Sequence, residues 1–140
     1  MEEWKDIPGY FGLYIISNMG RIMRVPGWDV VKGSEIVKGK IRHYERQRIV
    51  KLRILKPSID RDGYHRISLS KNGKAKIFTV HRLVVMAFIP NPENKPEIDH
   101  INGNKQDNRV ENLRWVTHKE NINNPITLER FRKAIKTKKK

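Results

Sequence analysis

One stretch constrains this chain more than any other: Ile98 to Asn124, I-D-H-I-N-G-N-K-Q-D-N-R-V-E-N-L-R-W-V-T-H-K-E-N-I-N-N. Asp99 stands beside His100, Asn112 follows twelve residues after His100, and Asn121 nine residues after that. A carboxylate, an imidazole and amides are what hydrolysis of a phosphodiester asks for. Oxygen ligands hold a divalent ion that neutralises charge on the phosphate and leaving oxygen, and a base deprotonates water. Asp99 and Asn121 are the candidate ion ligands. Their hard oxygens suit Mg²⁺, with Mn²⁺ as the alternative, because such an ion keeps several waters and takes substrate phosphate as a further ligand. His100 is the candidate base, since a free imidazole titrates at about 6.5.

Local signals say how these residues are carried. Neighbours on a strand point to opposite faces, so Asp99 and His100 reach one phosphate only if the chain bends or turns there. Asn102-Gly103 predicts such an irregular hairpin region. Thr117 followed by Glu120 is a capping box with Thr117 as N-cap, which places Asn121 in the first helical turn, and Pro125 keeps that helix short. Asn112 falls between two strands, where a buried amide can tie backbone groups of the connecting loop together.

The pieces D-H-x-N-G and D-N-R-x-x-N-L-R-W-V-T, followed by Asn121, resemble the HNH family of nucleases, in its phage and intron-associated homing branch. The resemblance implies metal binding by Asp99 and Asn121, a general base in His100 and a structural part for Asn112. A second resemblance lies at the start of the chain. W-x-x-I-x-G-Y from Trp4 and Y-x-x-S-N-x-G-R from Tyr14 are similar to a small module that commonly precedes such nucleases. The H-R-L-V segment at His81 also belongs to the family pattern and reads as scaffold, although His81 is a second histidine to weigh as catalytic.

Composition narrows the partner. Thirty Lys and Arg against fifteen Asp and Glu leave a formal charge of +15, which calls for a polyanion, and double-stranded DNA is the first candidate. A membrane surface is the rival, but no run approaches the roughly 20 apolar residues of a spanning helix, and M-E-E-W-K-D is no signal peptide. Without cysteine there is no disulfide framework and no thiolate zinc site. The five histidines, at 43, 65, 81, 100 and 118, lack the paired spacing of a zinc site. The expected setting is the cytoplasm of a bacterial host, with the gene carried by a phage.

Taken in order, Leu13 to Ile16 and Arg21 to Met23 flank S-N-M-G and predict a hairpin covered by Trp4, Ile7 and Tyr10. Val25 to Ser34, with P-G-W-D and K-G-S, reads as loop, with Trp28 either exposed or lidding apolar surface. Arg48 to Leu55 alternates imperfectly, its apolar residues expected inward. Arg42, Arg46, Arg48, Lys51 and Arg53 are candidates for phosphate contact. Tyr64 to Ser70 and Ala75 to Val80 flank Asn72-Gly73, the signature of a type I′ hairpin. Arg66, Lys71 and Lys74 on this ribbon, and Arg82 and Arg114 beyond it, complete the DNA-contacting set. His81 to Phe88 predicts a buried helix ended by Pro90 and Pro92. A last helix from Thr127 puts Leu128, Phe131 and Ile135 on one face, before a disordered basic tail at T-K-K-K.

The expected fold class is α+β: a ββα-metal (HNH) nuclease core preceded by antiparallel β hairpins and followed by a short basic helix. The expected divisions are 1–56, a β-rich DNA-binding module; 57–126, the nuclease core; and 127–140, the basic helix and tail. The first functional expectation is a metal-dependent DNA endonuclease that nicks one strand per active site. The alternative is a non-catalytic DNA-binding protein on the same scaffold; an RNA binder fits less well for want of a base-stacking aromatic pattern. Whether it acts as a monomer or a dimer stays open, as do the target sequence and the choice of ion.

Overall fold

The computed structural model describes residues 1–138; of the T-K-K-K tail expected to be disordered, Thr137 and Lys138 instead continue the last helix, and the last two residues lie outside the described residues. The fold is α+β. In chain order, β1 (Trp4–Asp6), β2 (Tyr14–Ser17) and β3 (Ile22–Arg24) are joined by β6 (Arg53–Leu55) in one antiparallel sheet of order β1-β2-β3-β6. Between β3 and β6 the chain leaves as a two-stranded ribbon, β4 (Gly27–Val37) with β5 (Lys40–Val50). Next come β7 (Ser58–Ile59), β8 (His65–Lys71) and β9 (Lys74–Thr79), a three-stranded sheet centred on β8. Helix α1 (Val80–Phe88) leads to β10 (Glu97–His100), which pairs antiparallel with β11 (Leu113–Val116). Helices α2 (His118–Ile122) and α3 (Pro125–Lys138) complete the described chain.

One apolar cluster holds these pieces together. Ile7, Tyr14, Ile16 and Ile22 of the first sheet meet Ile67 and Leu69 of β8, Val80, Leu83, Val84 and Val85 of α1, and Leu113 of β11. The alternation expected of β8 is seen in the burial of Ile67 and Leu69 between exposed Arg66 and Ser68. Asn72 and Gly73 both take positive φ, 53° and 75°, as a type I′ turn requires. Polar ties reinforce the packing: Val110 N–H donates to the Asn18 carbonyl at 2.9 Å, and Ser70 N–H to the Tyr14 hydroxyl at 3.0 Å. Trp115 Nε1 donates to the Ile89 carbonyl at 3.0 Å. The first sheet thus braces α1, and α1 braces the β10–β11 hairpin.

Two sequence expectations are corrected. Val25 to Ser34 is not a loop: from Gly27 onward it is strand, in register from Gly27↔Val50 to Val37↔Lys40. Its glycine is there for packing. A Cβ on Gly33 would stand 2.4 Å from the Tyr44 hydroxyl, because that ring crosses over the glycine from the opposite strand. Likewise, the apolar residues between Arg48 and Leu55 do not all turn inward. Ile49, Leu52 and Ile54 are exposed and only Leu55 packs on the core. On α3, Phe131 and Ile135 are also exposed, so its apolar face is only partly used.

Candidate active site

The site is built on β10, where Asp99 pairs with Arg114 and His100 with Leu113 in regular register. Alternation therefore sends Glu97 and Asp99 to one face and His100 to the other, and both Asp99 and His100 are buried. The bend expected to turn both side chains to one phosphate is not in the strand that carries them: Asp99 and His100 stay on opposite faces, and the turn at Asn102-Gly103 follows, with Gly103 N–H donating to the His100 carbonyl at 2.8 Å. Gly103 has φ 73°, and a Cβ there would lie 2.7 Å from Ile126. Glycine is required at this point by both conformation and crowding.

On the far side of the strand, His100 Nε2 lies 2.9 Å from the Asn108 Oδ1, itself buried. An amide oxygen can only accept, so Nε2 carries the proton and Nδ1 keeps its lone pair. Among the described residues the single buried polar side-chain atom without a partner is His81 Nδ1, so the unpartnered Nδ1 of His100 reaches solvent. His81 stacks edge-on against His100 with ring centroids 5.0 Å apart, and Tyr64 lies 5.1 Å from His81 and 5.9 Å from His100. Burial first, then the neighbouring His100, pushes His81 down to about 4. It is neutral at neutral pH.

On the near side, Asp99 Oδ2 accepts from Arg114 Nε at 3.0 Å and Nη2 at 2.8 Å. Asn124 Nδ2 donates to both carboxylate oxygens, at 3.0 and 2.8 Å. Asn121 does not make that contact. Its Nδ2 donates to Glu97 Oε2 at 2.8 Å, while His118 Nδ1 faces Glu97 Oε1 at 2.8 Å. Those two partners hold the Glu97 carboxyl below its ordinary range, Asn121 foremost. In direct contact, Asp99 pairs with Asn124 and Glu97 with Asn121. Asn121 lies on α2, whereas Asn124 stands past its end, where the chain leaves α2 and caps α3, and there its amide meets Asp99.

The two amides differ in what their oxygens do. Asn124 Oδ1 accepts from Ile126 N–H at 2.9 Å and its carbonyl from Leu128 N–H at 3.0 Å, so Asn124 caps α3. Asn121 Oδ1 takes no hydrogen bond among the described residues and is not a buried orphan. The capping box that starts α2 and orients Asn121 is present in both directions, Glu120 N–H to Thr117 Oγ1 and Thr117 N–H to Glu120 Oε1, each 3.2 Å.

Asn112 ties the β10–β11 connection. Its Oδ1 accepts from Asn102 N–H at 3.0 Å, and its Nδ2 donates to the Asp107 carbonyl at 2.9 Å and Asn102 Oδ1 at 3.0 Å. Arg109 closes the same loop on Asp107 through two 2.8 Å contacts, which hold that carboxyl down at about 2.

A divalent ion can be matched to this donor set. Among the described residues no three or more His, Cys, Asp or Glu converge as a metal cage. The oxygens that could serve are the Asp99 carboxylate, already contacted by Arg114 and Asn124, and the amide oxygen of Asn121, which takes no hydrogen bond among the described residues. Few and hard protein oxygens suit Mg²⁺ or Mn²⁺ and do not suit a structural zinc.

All ten candidate DNA-contacting residues are exposed, but they are not equally free. Arg114 clamps Asp99, Arg48 stands 3.5 Å from Asp29, and Lys71 Nζ donates to the Gly9 carbonyl at 2.9 Å. Arg42 and Arg46 project from the ribbon, Lys51 and Arg53 from its exit, Arg66 and Lys74 from the β8–β9 hairpin, and Arg82 from α1. Asn108, Asn124, Glu97 and His118 are site residues that sequence reasoning misses. In an Asn-rich run nothing in residue type separates an amide that builds a turn from one that holds a catalytic group.

Known proteins resemble this chain. An HNH endonuclease family model matches residues 78–122, and a NUMOD4 motif model matches residues 2–70. DNA endonuclease I-HmuI of Bacillus phage SP01 is 42% identical over 125 residues, 89% of this chain and 58% of that protein. Uncharacterized HNH endonuclease L247 of Acanthamoeba polyphaga mimivirus is 36% identical over 136 residues, 91% of this chain and 28% of its own length. The solved structure described as "DNA binding and cleavage by the HNH homing endonuclease I-HmuI" superposes with a TM-score of 0.66 at 39% identity, over 91% of this chain and 59% of that one. The chain is homologous to I-HmuI and spans somewhat over half its length.

Proposed function

Since the chain belongs to the HNH endonuclease family, we propose that it is a divalent-metal-dependent DNA endonuclease that hydrolyses a phosphodiester and nicks one strand per active site. The observation that carries this reading is His100: its Nε2 is held on Asn108, and its Nδ1, without a hydrogen-bond partner and not wholly enclosed, is left to take a proton from a water molecule. Asp99 and the free oxygen of Asn121 would hold Mg²⁺, or Mn²⁺ in its place. A bound ion of this kind supplies charge neutralisation at the phosphate and the leaving oxygen. Arg114 and Asn124 fix the direction of the Asp99 carboxylate, Asn112 fixes the loop behind it, and neutral His81 walls the inner side of His100. The exposed residues Arg42, Arg46, Arg48, Lys51, Arg53, Arg66, Lys71, Lys74 and Arg82 offer cations to a DNA backbone, and Arg114 reaches the surface beside the carboxylate it clamps.

The similarity to a phage endonuclease supports a phage gene product acting on DNA in the host cytoplasm. No helix among the described residues is long and apolar enough to cross a membrane. Supercoiled plasmid supplies the test. The parent should nick it with Mg²⁺ or Mn²⁺ and not with EDTA, and His100→Ala should lose on the order of 10² to 10⁴ in rate while binding duplex nearly as well. Equal nicking by His100→Ala would overturn the assignment. Binding with no metal-dependent nicking by the parent would leave the DNA-binding alternative standing.

A further inference from the structure

The β4–β5 ribbon is the largest part of the described chain that the active site does not use. It leaves the first sheet after β3 and returns at β6, and those two strands are hydrogen-bonded neighbours, Ile22 opposite Leu55 and Arg24 opposite Arg53. Removing it therefore breaks no pairing of the sheet. None of its residues is buried or belongs to the core, so the fold does not need it for packing. Water does not favour a two-stranded ribbon standing alone. This one has eleven paired residues in each strand.

Directly opposed residues share a face, so the register sorts the side chains. Lys40, Arg42, Arg46 and Arg48 come out on one face, with Glu35 and Asp29 as the acids there. The Arg46 guanidinium lies over the Tyr44 ring at 4.5 Å, and Asp29 is drawn to the base of the ribbon by Arg24 and Arg48. The opposite face carries Trp28, Ile36, Ile41 and Ile49, and its one Lys–Glu pair, Lys32 with Glu45 at 2.9 Å, cancels. Lys32 also rests across Gly73 at the β8–β9 turn. Apart from that contact the neutral face is open to water, its Trp28, Ile36, Ile41 and Ile49 all exposed, as are Lys40, Arg42, Arg46 and Arg48 on the other face.

We infer that the β4–β5 ribbon is a duplex-reading arm that lays its Lys40, Arg42 and Arg46 face along a DNA groove, beyond the contacts made around the active site. The inference rests on duplex DNA being the substrate. Dimensions agree with it. Eleven residues at about 3.3 Å each reach roughly 36 Å, close to the about 34 Å of one helical turn, and the major groove admits a two-stranded ribbon.

The test uses the full chain on duplexes of about one to about four helical turns, at several salt concentrations. Replacing Lys40, Arg42 and Arg46 together with Ala should weaken binding tenfold or more at low salt and flatten the salt dependence by about 0.9 in slope for each phosphate no longer neutralised. A second variant joins Pro26 to Lys51 through Gly-Gly in place of residues 27–50. It should still unfold cooperatively, somewhat below the parent's temperature because the buried Arg24 loses Asp29, and saturate on duplexes about one turn shorter than the parent needs. Parental affinity, salt slope and duplex-length requirement in both variants would overturn the inference, even if metal-dependent nicking by the parent stands. A change in oligomeric state at constant duplex requirement would overturn it too, assigning the arm to contact between copies. Loss of nicking in His100→Ala with the ribbon effects intact separates the arm from the chemistry.

Discussion

The β10–α2 region and the β4–β5 ribbon are both rich in polar residues and are opposite in construction. Around Asp99 nearly every polar atom is spoken for: Arg114 and Asn124 on the carboxylate, Asn108 on the imidazole, Asn112 on the loop. Along the ribbon the strands hold each other and little else holds them. Buried polar groups are costly unless satisfied, so the first region is rigid by necessity. The second is cheap to change. Position is what a reacting group requires, and reach is what a groove-following arm requires.

The sharpest way to break this contrast is through His81, which sits in the rigid region as an uncharged imidazole. Its value in the fold, about 4, lies below the ordinary 6.5. Between those values the unfolded chain binds a proton that the folded chain refuses, so stability should fall as pH drops through this window. The full cost is roughly 3 kcal/mol. Urea titrations at pH 7 and pH 4 should show that loss in the parent and much less of it in His81→Phe. Equal losses in both proteins would mean the imidazole is not held neutral by its surroundings.

Next in size is the pair of amides. Asn124→Ala removes both contacts to Asp99 and the cap of α3, and should cost about 1 to 2 kcal/mol by chemical denaturation. Asn121→Ala gives up one hydrogen bond to Glu97 and should cost under about 1 kcal/mol, while plasmid nicking falls and its dependence on Mg²⁺ concentration moves to higher values. If Asn121→Ala nicks like the parent and Asn124→Ala does not respond to added Mg²⁺, the ligand assignment between the two is reversed. Smallest of all is Ile41→Thr on the ribbon. With 70% of its surface exposed, the change should stay within about 0.5 kcal/mol, and a larger effect would show that the ribbon is packed after all.

How far each region is legible in the sequence follows the same division. Features written in local chemistry are readable: the Thr117–Glu120 capping box, the Asn72-Gly73 turn, the alternation of Ile67 and Leu69, and the Asp99-His100 pair. The first strand of the ribbon reads as loop because hydrophobic periodicity reports burial, and a ribbon with two wet faces has none to report. Pro26, Gly27 and Gly33 then read as breakers, although Gly33 only makes room for Tyr44. The amide that touches Asp99 is not legible from spacing, because Asn124 reaches it only through the break between α2 and α3.

Asn124 carries one more consequence. Its carboxamide is split, with the oxygen serving the first turn of α3 and the nitrogen serving the carboxylate. Aspartate would keep the first service and set two negative groups face to face; serine would keep it and fall short of the second; glutamine would move both atoms outward by a methylene. Hardly any other side chain can start a helix and steady a carboxylate at once, so this position should tolerate substitution far less than its plain appearance in a run of asparagines suggests.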